Sequence, residues 1–471
     1  MTDEQQVRSL LTLAAELPDH VQAPVDSLLR RSRRKRRVHA ASSVLAAVVL
    51  TVSALALPPI IHSLSSGSPG PTGVRGHGKG SPTAKQLTHF RWSSLPPSPL
   101  GPRSRPLVVS TGKELIELGG NSKQAQELDG AAFEPATGRW HRIAPAPYNV
   151  GFTDGWTGRN YSDVVDAWTG HQLFVTNGDF ESCATGSSGS PAMCYPHAGL
   201  YDPATNTWTS TKLPKPMYGL DLQVAIWTGR DVVIAGTSCC PTVTLNGATP
   251  AAHARLAVAA YNPASNRWRM ITPHLPAGHP PRYVAMVATP GRLVLWSQWD
   301  VVTTHKHGQS ISAGVDVLTL GSDGTWHVVT GNWPQNQNIT APVFTGNAIL
   351  LSPATIWCGQ LCRSPGGSYP GYFVNAATLA RRPIPLGPIG QVTPAFVWTG
   401  RAIIAVNINA VLSGLGTHVR PDDMALYDLA ANRWTNLVAP PGRPSMAATP
   451  VWAGRQLLLL TASGRLLSFH A

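Results

Sequence analysis

A glycine-centred turn that recurs seven times is the feature that most limits how this chain can fold. Clear copies are AWTGHQLFV at 167–175, IWTGRDVVI at 226–234 and VWTGRAIIA at 397–405. Each has two apolar runs with a glycine between them, which predicts a β-hairpin. The turn glycines lie 54 to 62 residues apart and are Gly112, Gly170, Gly229, Gly291, Gly346, Gly400 and Gly454. A hairpin repeat of this length is typical of β-propellers and solenoid arrays.

A second repeated phrase alternates with the first along the chain. It stands as FEPATGRW at 133–140, YDPATNTW at 201–208, YNPASNRW at 261–268 and YDLAANRW at 427–434. Its acidic or amide residue and its proline favour a tight turn, and its asparagine or glycine tolerates a positive φ. The tryptophan then begins the returning strand. The two hairpins together predict one four-stranded antiparallel blade per unit, and therefore an all-β chain with a seven-bladed propeller.

The seventh unit lacks its tryptophan strand after GRLLSFHA at 464–471. A matching strand, HFRWSSLPP at 89–97, stands alone before the first unit. We expect this N-terminal strand to complete the seventh blade and close the ring, which removes the exposed edges of an open array. The alternative is a β-sandwich or two smaller β-domains.

The units resemble kelch repeats, the type found in galactose-oxidase-like propellers. The likeness rests on the tyrosine, the Asp-Pro turn, the tryptophan and the following Leu213-Pro214 or Pro281-Arg282, and it covers residues 88–471. The double glycine of that family is clear at Gly119-Gly120. Kelch propellers include copper radical oxidases, which need a Tyr–Cys cross-link and paired histidine ligands. We recognise no such set here, and we therefore expect a protein without catalytic residues, metal or cofactor.

The N-terminal region predicts a bacterial membrane protein with an external propeller. Residues 1–37 form a cytosolic arm that ends in RRSRRKRR at 30–37. A transmembrane helix is expected over 38–62, because the apolar stretch Ala40–Ile61 is long enough to cross a bilayer and the basic residues stay inside. Residues 63–88 are a Gly/Ser/Pro-rich linker to the extracytoplasmic propeller at 89–471. The alternative is a secretory signal cleaved after Ala56.

The charge distribution argues against a nucleic-acid partner. The formal net charge is +13, but seven positive charges fall within the eight residues 30–37. The adjacent apolar span explains that cluster as a topology signal. From His89 onward the net charge is +7 and shows no concentrated stripe along the sequence. We expect a monomer that contacts the membrane through one helix.

The cysteines fit an oxidising compartment, since they are even in number and close in pairs. The predicted bridges are Cys183–Cys194 and Cys358–Cys362. Cys239 and Cys240 form either a strained vicinal disulfide or two free thiols. The CGQLC spacing does not match a redox or zinc motif.

The strand order predicts two different faces of the ring. Both tight turns of every blade lie at one end, whereas the long connections between second and third strands lie at the other, together with all six cysteines. Loops on a rigid scaffold are where binding residues collect. The candidate ligand-binding residues on that face are Asp179, Glu181, His197, His253, Trp299, Asp300, Trp357, Tyr369, Tyr372 and Asp422.

Aromatic and carboxylate side chains on the long-loop face suit the recognition of a sugar or peptide. We expect an extracytoplasmic binding module for an envelope glycan or a protein partner. One alternative is a transmembrane sensor whose cytosolic arm contacts a transcriptional regulator. Residues 1–37 resemble the cytosolic arms of bacterial membrane proteins associated with such regulators, including extracytoplasmic-function sigma factors. A second alternative is a carbohydrate-active enzyme that uses Asp300 or Asp422.

Overall fold

The protein is a seven-bladed β-propeller. The computed structural model describes residues 82–104, 106–122, 127–148, 164–177, 197–238, 243–244, 247–248, 254–305, 308–329, 333, 342–351, 371–385, 395–406, 424–441 and 449–471. The segment predicted to cross the membrane, 38–62, lies outside these ranges. Among the described residues there is no helix that is long and apolar enough to span a bilayer.

The first part of the ring contains a short entry helix, an edge strand and three complete blades. The entry elements are α1 Ala84–Leu87 and β1 Arg91–Leu95. Blade one consists of β2 Leu107–Ser110, β3 Leu115–Leu118, β4 Gly130–Glu134 and β5 Arg139–Ile143. Blade two consists of β6 Val164–Trp168, β7 Leu173–Asn177, β8 His197–Asp202 and β9 Thr207–Lys212. Blade three consists of β10 Asp221–Trp227, β11 Val232–Thr237, a separate hairpin of β12 Val243–Thr244 and β13 Gly247–Ala248, then β14 Leu256–Asn262 and β15 Arg267–Met270.

The remaining four blades follow the same strand order. Blade four consists of β16 Pro281–Thr289, β17 Arg292–His305, β18 Gly308–Gly321 and β19 Trp326–Val329. Blade five consists of β20 Val343–Phe344, β21 Ala348–Leu351, β22 Tyr372–Asn375 and β23 Arg381–Pro383. Blade six consists of β24 Ala395–Trp398, β25 Ala402–Val406, β26 Met424–Asp428 and β27 Arg433–Leu437. Blade seven consists of β28 Thr449–Ala453, β29 Gln456–Leu460, β30 Leu466–His470 and β1.

The N-terminal strand closes the ring, as predicted. β1 pairs antiparallel with β30, from Arg91 opposite His470 to Leu95 opposite Leu466. The rings of Phe90 and Trp92 lie 5.5 and 5.1 Å from that of Phe469. Both ends of the propeller therefore share one sheet, and the outer edge of β30 is paired within the same chain.

The hydrophobic core is divided among the junctions between adjacent blades. In β28, Val451 packs toward blade one and Trp452 packs toward blade six. The same alternation occurs in β10, where Ala225 faces blade two and Ile226 faces blade four. Because both faces of the inner strands are buried, these strands are apolar at nearly every position rather than at every second one.

The outer hairpins owe their tight turns to a local hydrogen bond. Asn206, Asn266 and Asn432 have φ values of 52°, 51° and 49°. Each accepts a hydrogen bond from the tyrosine hydroxyl five residues earlier; the Tyr201–Asn206 and Tyr261–Asn266 distances are both 2.9 Å, and Tyr427 pairs with Asn432 in the same way. The repeated tyrosine and asparagine thus fix the left-handed turn together.

The repeated tryptophan joins each blade to the blade before it. Its indole N–H donates to the last strand, or to the residues just after it, of the preceding blade. The acceptors are Pro96 O for Trp140, Ala144 O for Trp208, Thr211 Oγ1 for Trp268, Ile271 O for Trp326, Pro385 O for Trp434 and Val438 O for Trp92. These six bonds are 2.5 to 3.1 Å long. We call them the tryptophan bridges.

Blade five makes its contact with blade four differently. Arg381 stands opposite Val374, the position that tryptophan occupies elsewhere. Here the tryptophan comes instead from the segment after blade four, and the guanidinium of Arg381 lies 4.7 Å from the centre of the Trp333 ring. A cation–π contact therefore stands where the other junctions have an indole hydrogen bond.

Loss of one tryptophan bridge should measurably lower the free energy of unfolding. Trp208→Phe keeps an aromatic ring beside Tyr201, whose centroid lies 5.3 Å away, but removes the N–H that Ala144 O accepts. We expect the free energy of unfolding to fall by about 1 kcal/mol in urea denaturation. Trp208→Ala should cost about 2 kcal/mol or more, because the packing is lost as well. Equal stability of Trp208→Phe and the wild type would show that the bond contributes nothing to the junction.

The connection between the second and third strands of blade four is a ribbon where the repeat predicts a loop. β17 and β18 stay paired from Asp300 opposite Ala313 to His305 opposite Gly308, beyond Pro281 opposite Trp299, the last residue pair of β16 and β17. Six further residue pairs at about 3.3 Å each extend this ribbon by roughly 20 Å. Apolar and β-branched residues in VVTTH at 301–305 favour strand over loop.

Candidate functional site

The ring has two unlike faces. The carbonyl of Trp452 at the end of β28 accepts a hydrogen bond of 3.1 Å from Ser110 at the end of β2. Near their starts, the Val284 N–H of β16 donates to Gln223 of β10 at 2.7 Å. Neighbouring inner strands therefore run in the same direction. One face, the turn face, holds the turns that follow first and third strands, and the other, the loop face, holds the remaining connections.

Four of the ten predicted ligand-binding residues lie in the described part of the chain. His197 and Tyr372 begin the third strands of blades two and five, and Trp299 and Asp300 lie where the ribbon leaves blade four. All four positions are at the loop-face ends of their strands, in three different blades. The other six residues and all the cysteines lie outside the described residues: Asp179, Glu181, His253, Trp357, Tyr369, Asp422, Cys183, Cys194, Cys239, Cys240, Cys358 and Cys362.

Trp299 belongs to a compact group at the base of the ribbon. Its ring stacks on that of His279, with centroids 4.0 Å apart and an angle of 16°. His279 Nδ1 lies 2.9 and 3.0 Å from the two carboxylate oxygens of Asp316. On the opposite strand, a Cβ at Gly314 would lie 2.5 Å from the indole, so only glycine lets the ring pack there. Sequence reasoning missed His279 and Asp316, which are 37 residues apart.

The electrostatics of this group follow from its partial burial. Burial raises the pKa of Asp316, and the hydrogen bond and charge of His279 act against that rise. The indole N–H of Trp299 adds a smaller lowering. Since His279 covers one face of the Trp299 ring, that face does not offer a free stacking surface. At the loop face the imidazole of His279 is about one-third exposed, whereas the carboxylate of Asp316 is largely buried and the indole nitrogen of Trp299 is fully buried.

His197 and Tyr372 are also engaged with neighbouring aromatic or cationic groups. The His197 ring stacks on Tyr148, with centroids 5.5 Å apart and an angle of 15°. Tyr148 in turn donates to the carbonyl of Val175 at 2.8 Å, and its burial raises the pKa of its hydroxyl. The guanidinium of Arg381 lies 6.0 Å from the Tyr372 ring. The side chains of His197 and Tyr372 are therefore both held by contacts within the propeller.

A buried carboxyl lies near the ring closure, also toward the loop face. Glu117 accepts a hydrogen bond from Ser98, which follows β1. Burial raises the pKa of Glu117 to about 7, whereas Ser98 and the charge of Arg103 act to lower it. Arg103 pairs with Asp129 at 2.5 Å and thereby holds the pKa of Asp129 below its usual range. These contacts connect the closing segment to blade one.

The turn face carries a ring of basic residues that sequence reasoning missed. The residue immediately after the first-turn glycine is basic in most blades: Lys113, His171, Arg230, Arg292, Asn347, Arg401 and Arg455 from blade one to blade seven. All are exposed except Arg292, which is half-buried. These turns follow the innermost strands, so the seven positions surround the central axis. We call Lys113, Arg230, Arg292, Arg401 and Arg455 the basic ring.

The charge of the basic ring is weakly compensated. Among the described residues, none of its five cations forms an ion pair. The carboxylate of Asp231, next to Arg230, is turned to other partners: Arg269 at 2.8 Å and Asn262 at 2.9 Å. The sequence feature that reveals the basic ring is the fixed position of these residues within each repeat, directly after the turn glycine. Turn positions that recur every 54 to 62 residues, five of them with Lys or Arg, do not register as a cluster until the blades are superposed.

Comparison with known proteins adds no assignment. The sequence matches no protein-family model, and no curated protein is significantly similar to it. In the described ranges, no group of three or more His, Cys, Asp or Glu side chains is arranged to hold a metal ion. The two faces of the propeller are therefore the features from which its function is inferred.

Proposed function

We propose that this chain is a membrane-anchored, extracytoplasmic binding module of kelch type that recognises an envelope glycan or a protein partner on its loop face. The observation that carries the proposal is the asymmetry of the ring. Short turns of two to five residues make up one face, whereas the ribbon and the long connections gather at the other. Binding residues concentrate on such connections when a rigid scaffold holds them. Anchoring rests on the basic run at 30–37 and the apolar stretch at 40–61.

The group at the base of the ribbon supports recognition of a polar ligand. Asp316 and His279 offer an acceptor and a ring nitrogen beside the indole edge of Trp299. Tyr372 and His197 lie on the same face in other blades. A few oriented polar groups beside aromatic surfaces are what a sugar or peptide site requires. The remaining candidates, such as Trp357 and Asp422, belong to connections of that face.

A thermal-shift screen tests this function directly. The full chain, with its disulfides kept oxidised, is heated with envelope polysaccharides and peptides, because a ligand bound only by the folded state raises Tm. We expect one ligand class to give a saturable rise that Asp316→Asn and Trp357→Ala abolish. The matched control is Arg401→Ala on the turn face, which should leave the rise intact. A rise that survives both loop-face changes, or that Arg401→Ala removes, would contradict the proposed site.

A further inference from the structure

We propose that the basic ring on the turn face docks onto an anionic lipid surface, so that the loop face points away from the membrane. This inference rests on the proposed membrane anchoring, and it adds the orientation of the propeller. It concerns a face to which sequence reasoning assigned no function.

The geometry of the basic ring fits a flat partner. Its five cations occupy one structural position, the residue after the turn glycine, in five of the seven blades. Because equivalent turns end at equivalent heights, these side chains can meet a planar surface together. A bilayer with anionic headgroups supplies negative charge over such an area, and each basic side chain near it adds to the attraction.

The remaining charges of the turn face do not cancel this attraction. The outer turns, between third and fourth strands, carry Glu134, Asp202, Asp323 and Asp428. They also carry exposed arginines at 139, 267 and 433. Asp202 and Asp428 are further occupied as acceptors for backbone N–H groups of their own turns. The outer turns are thus close to neutral. The inner turns also hold Glu114 and Asp231, so the five cations of the basic ring exceed the inner-turn carboxylates by three and make the face positive.

The path of the chain agrees with this orientation. β1 is the fourth strand of its blade and therefore runs from the turn face to the loop face. It begins at Arg91, opposite His470, so the residues that precede it reach the ring from the turn-face side. Residues 63–88 form the predicted linker from the membrane span. The described end of this linker, residues 82–88, therefore joins the ring next to the turn-face end of β1.

Vesicle sedimentation tests the proposal on residues 82–471, which contain all seven blades with their own core. Vesicles of phosphatidylcholine alone are compared with vesicles that also contain phosphatidylglycerol. We expect binding to the anionic vesicles and its loss at high salt, since screening shortens the range of the attraction. The variant with Arg230→Glu, Arg292→Glu, Arg401→Glu and Arg455→Glu should bind at least about tenfold more weakly.

The matched control carries the same change of net charge on the other side of the ring. It combines Lys212→Glu, Lys215→Glu, Arg255→Glu and Arg465→Glu, all exposed residues near the loop-face ends of strands. The melting temperatures of both variants are measured first, to show that each is folded. Equal loss of binding in the two variants would show that vesicle binding depends on net charge alone and not on the turn face. Equal binding to neutral vesicles, or binding to a DNA oligonucleotide but not to vesicles, would overturn the proposal.

The test separates this inference from the proposed function. It uses neither the predicted membrane span nor a loop-face ligand. Alkaline extraction of membranes from cells that express the full chain reports anchoring independently. Retention of the chain after extraction, together with no vesicle binding by the ring, would refute the docking surface and leave the anchor in place.

Discussion

Removal of residues 82–95 is expected to lower Tm by roughly 10 °C or more and to make the chain prone to aggregation. The deletion takes away the whole of β1 and exposes the edge of β30 along its five paired residues. It also removes Leu87 and Phe90, which are 0% and 4% exposed in the junction between blades six and seven. Each of these side chains contributes a few kcal/mol of burial, and the opened edge is a template for pairing between molecules.

Two further variants show whether closure itself is responsible. A peptide of residues 82–97 added to the truncated chain should restore much of the lost Tm, because the edge of β30 is then paired again. Trp92→Ala retains the strand and loses its bridge to Val438 O, so its Tm should fall less than that of the deletion. Differential scanning calorimetry measures all three. An unchanged Tm in the truncated chain would show that the ring does not depend on β1.

The repeat made the architecture predictable from sequence. Each hairpin can be recognised in the sequence by the residues that its turn requires, such as Gly400 with φ 91° and Asn432 with φ 49°. Because seven units share these residues, single weak copies matter little, and even the degenerate hairpin at 373–383 forms as β22 and β23. The missing strand in the seventh unit pointed to β1 by the same logic.

Contacts between blades were less accessible to sequence reasoning. The tryptophan of the repeat was expected to anchor its own strand, as Trp208 does beside Tyr201. Its second role, the bond to the preceding blade, depends on a carbonyl about 60 residues away whose position no local pattern encodes. The position of this carbonyl is set by the twist of adjacent sheets. Within blade four, the pairing of His279 with Asp316 likewise joins residues that are far apart in sequence.

The candidate site was predictable in position and not in detail. Strand order alone placed the long connections on one face, and the ends of β8, β17 and β22 lie there as expected. These connections differ in length and composition from blade to blade, so no periodicity constrains them. The ribbon of blade four shows the consequence, since a segment predicted as a loop continues two strands. The basic ring was overlooked for the opposite reason, because its residues are regular but far apart in sequence.

Burial of Asp166 should make stability depend on pH, with the folded protein more stable in acid. Asp166 is 0% exposed in β6, and burial raises its pKa to about 8. In the unfolded chain an aspartate titrates near 4. The folded state therefore holds a proton that the unfolded state releases, and the free energy of unfolding falls by about 1.4 kcal/mol per pH unit between these values. The stabilisation is complete below the lower pKa and is lost as the pH rises through the higher one.

Asp166→Asn tests this dependence, because the amide imitates the neutral carboxyl at every pH. We expect the variant and the wild type to have similar urea midpoints at or below about pH 4 and the variant to be more stable by several kcal/mol at pH 8. Glu117→Gln is the matched comparison. Burial raises the pKa of Glu117 to about 7, so the extra stability of this variant over the wild type should stop increasing near pH 7. If Asp166→Asn retained the pH slope of the wild type above pH 7, Asp166 would not be the group that holds the proton.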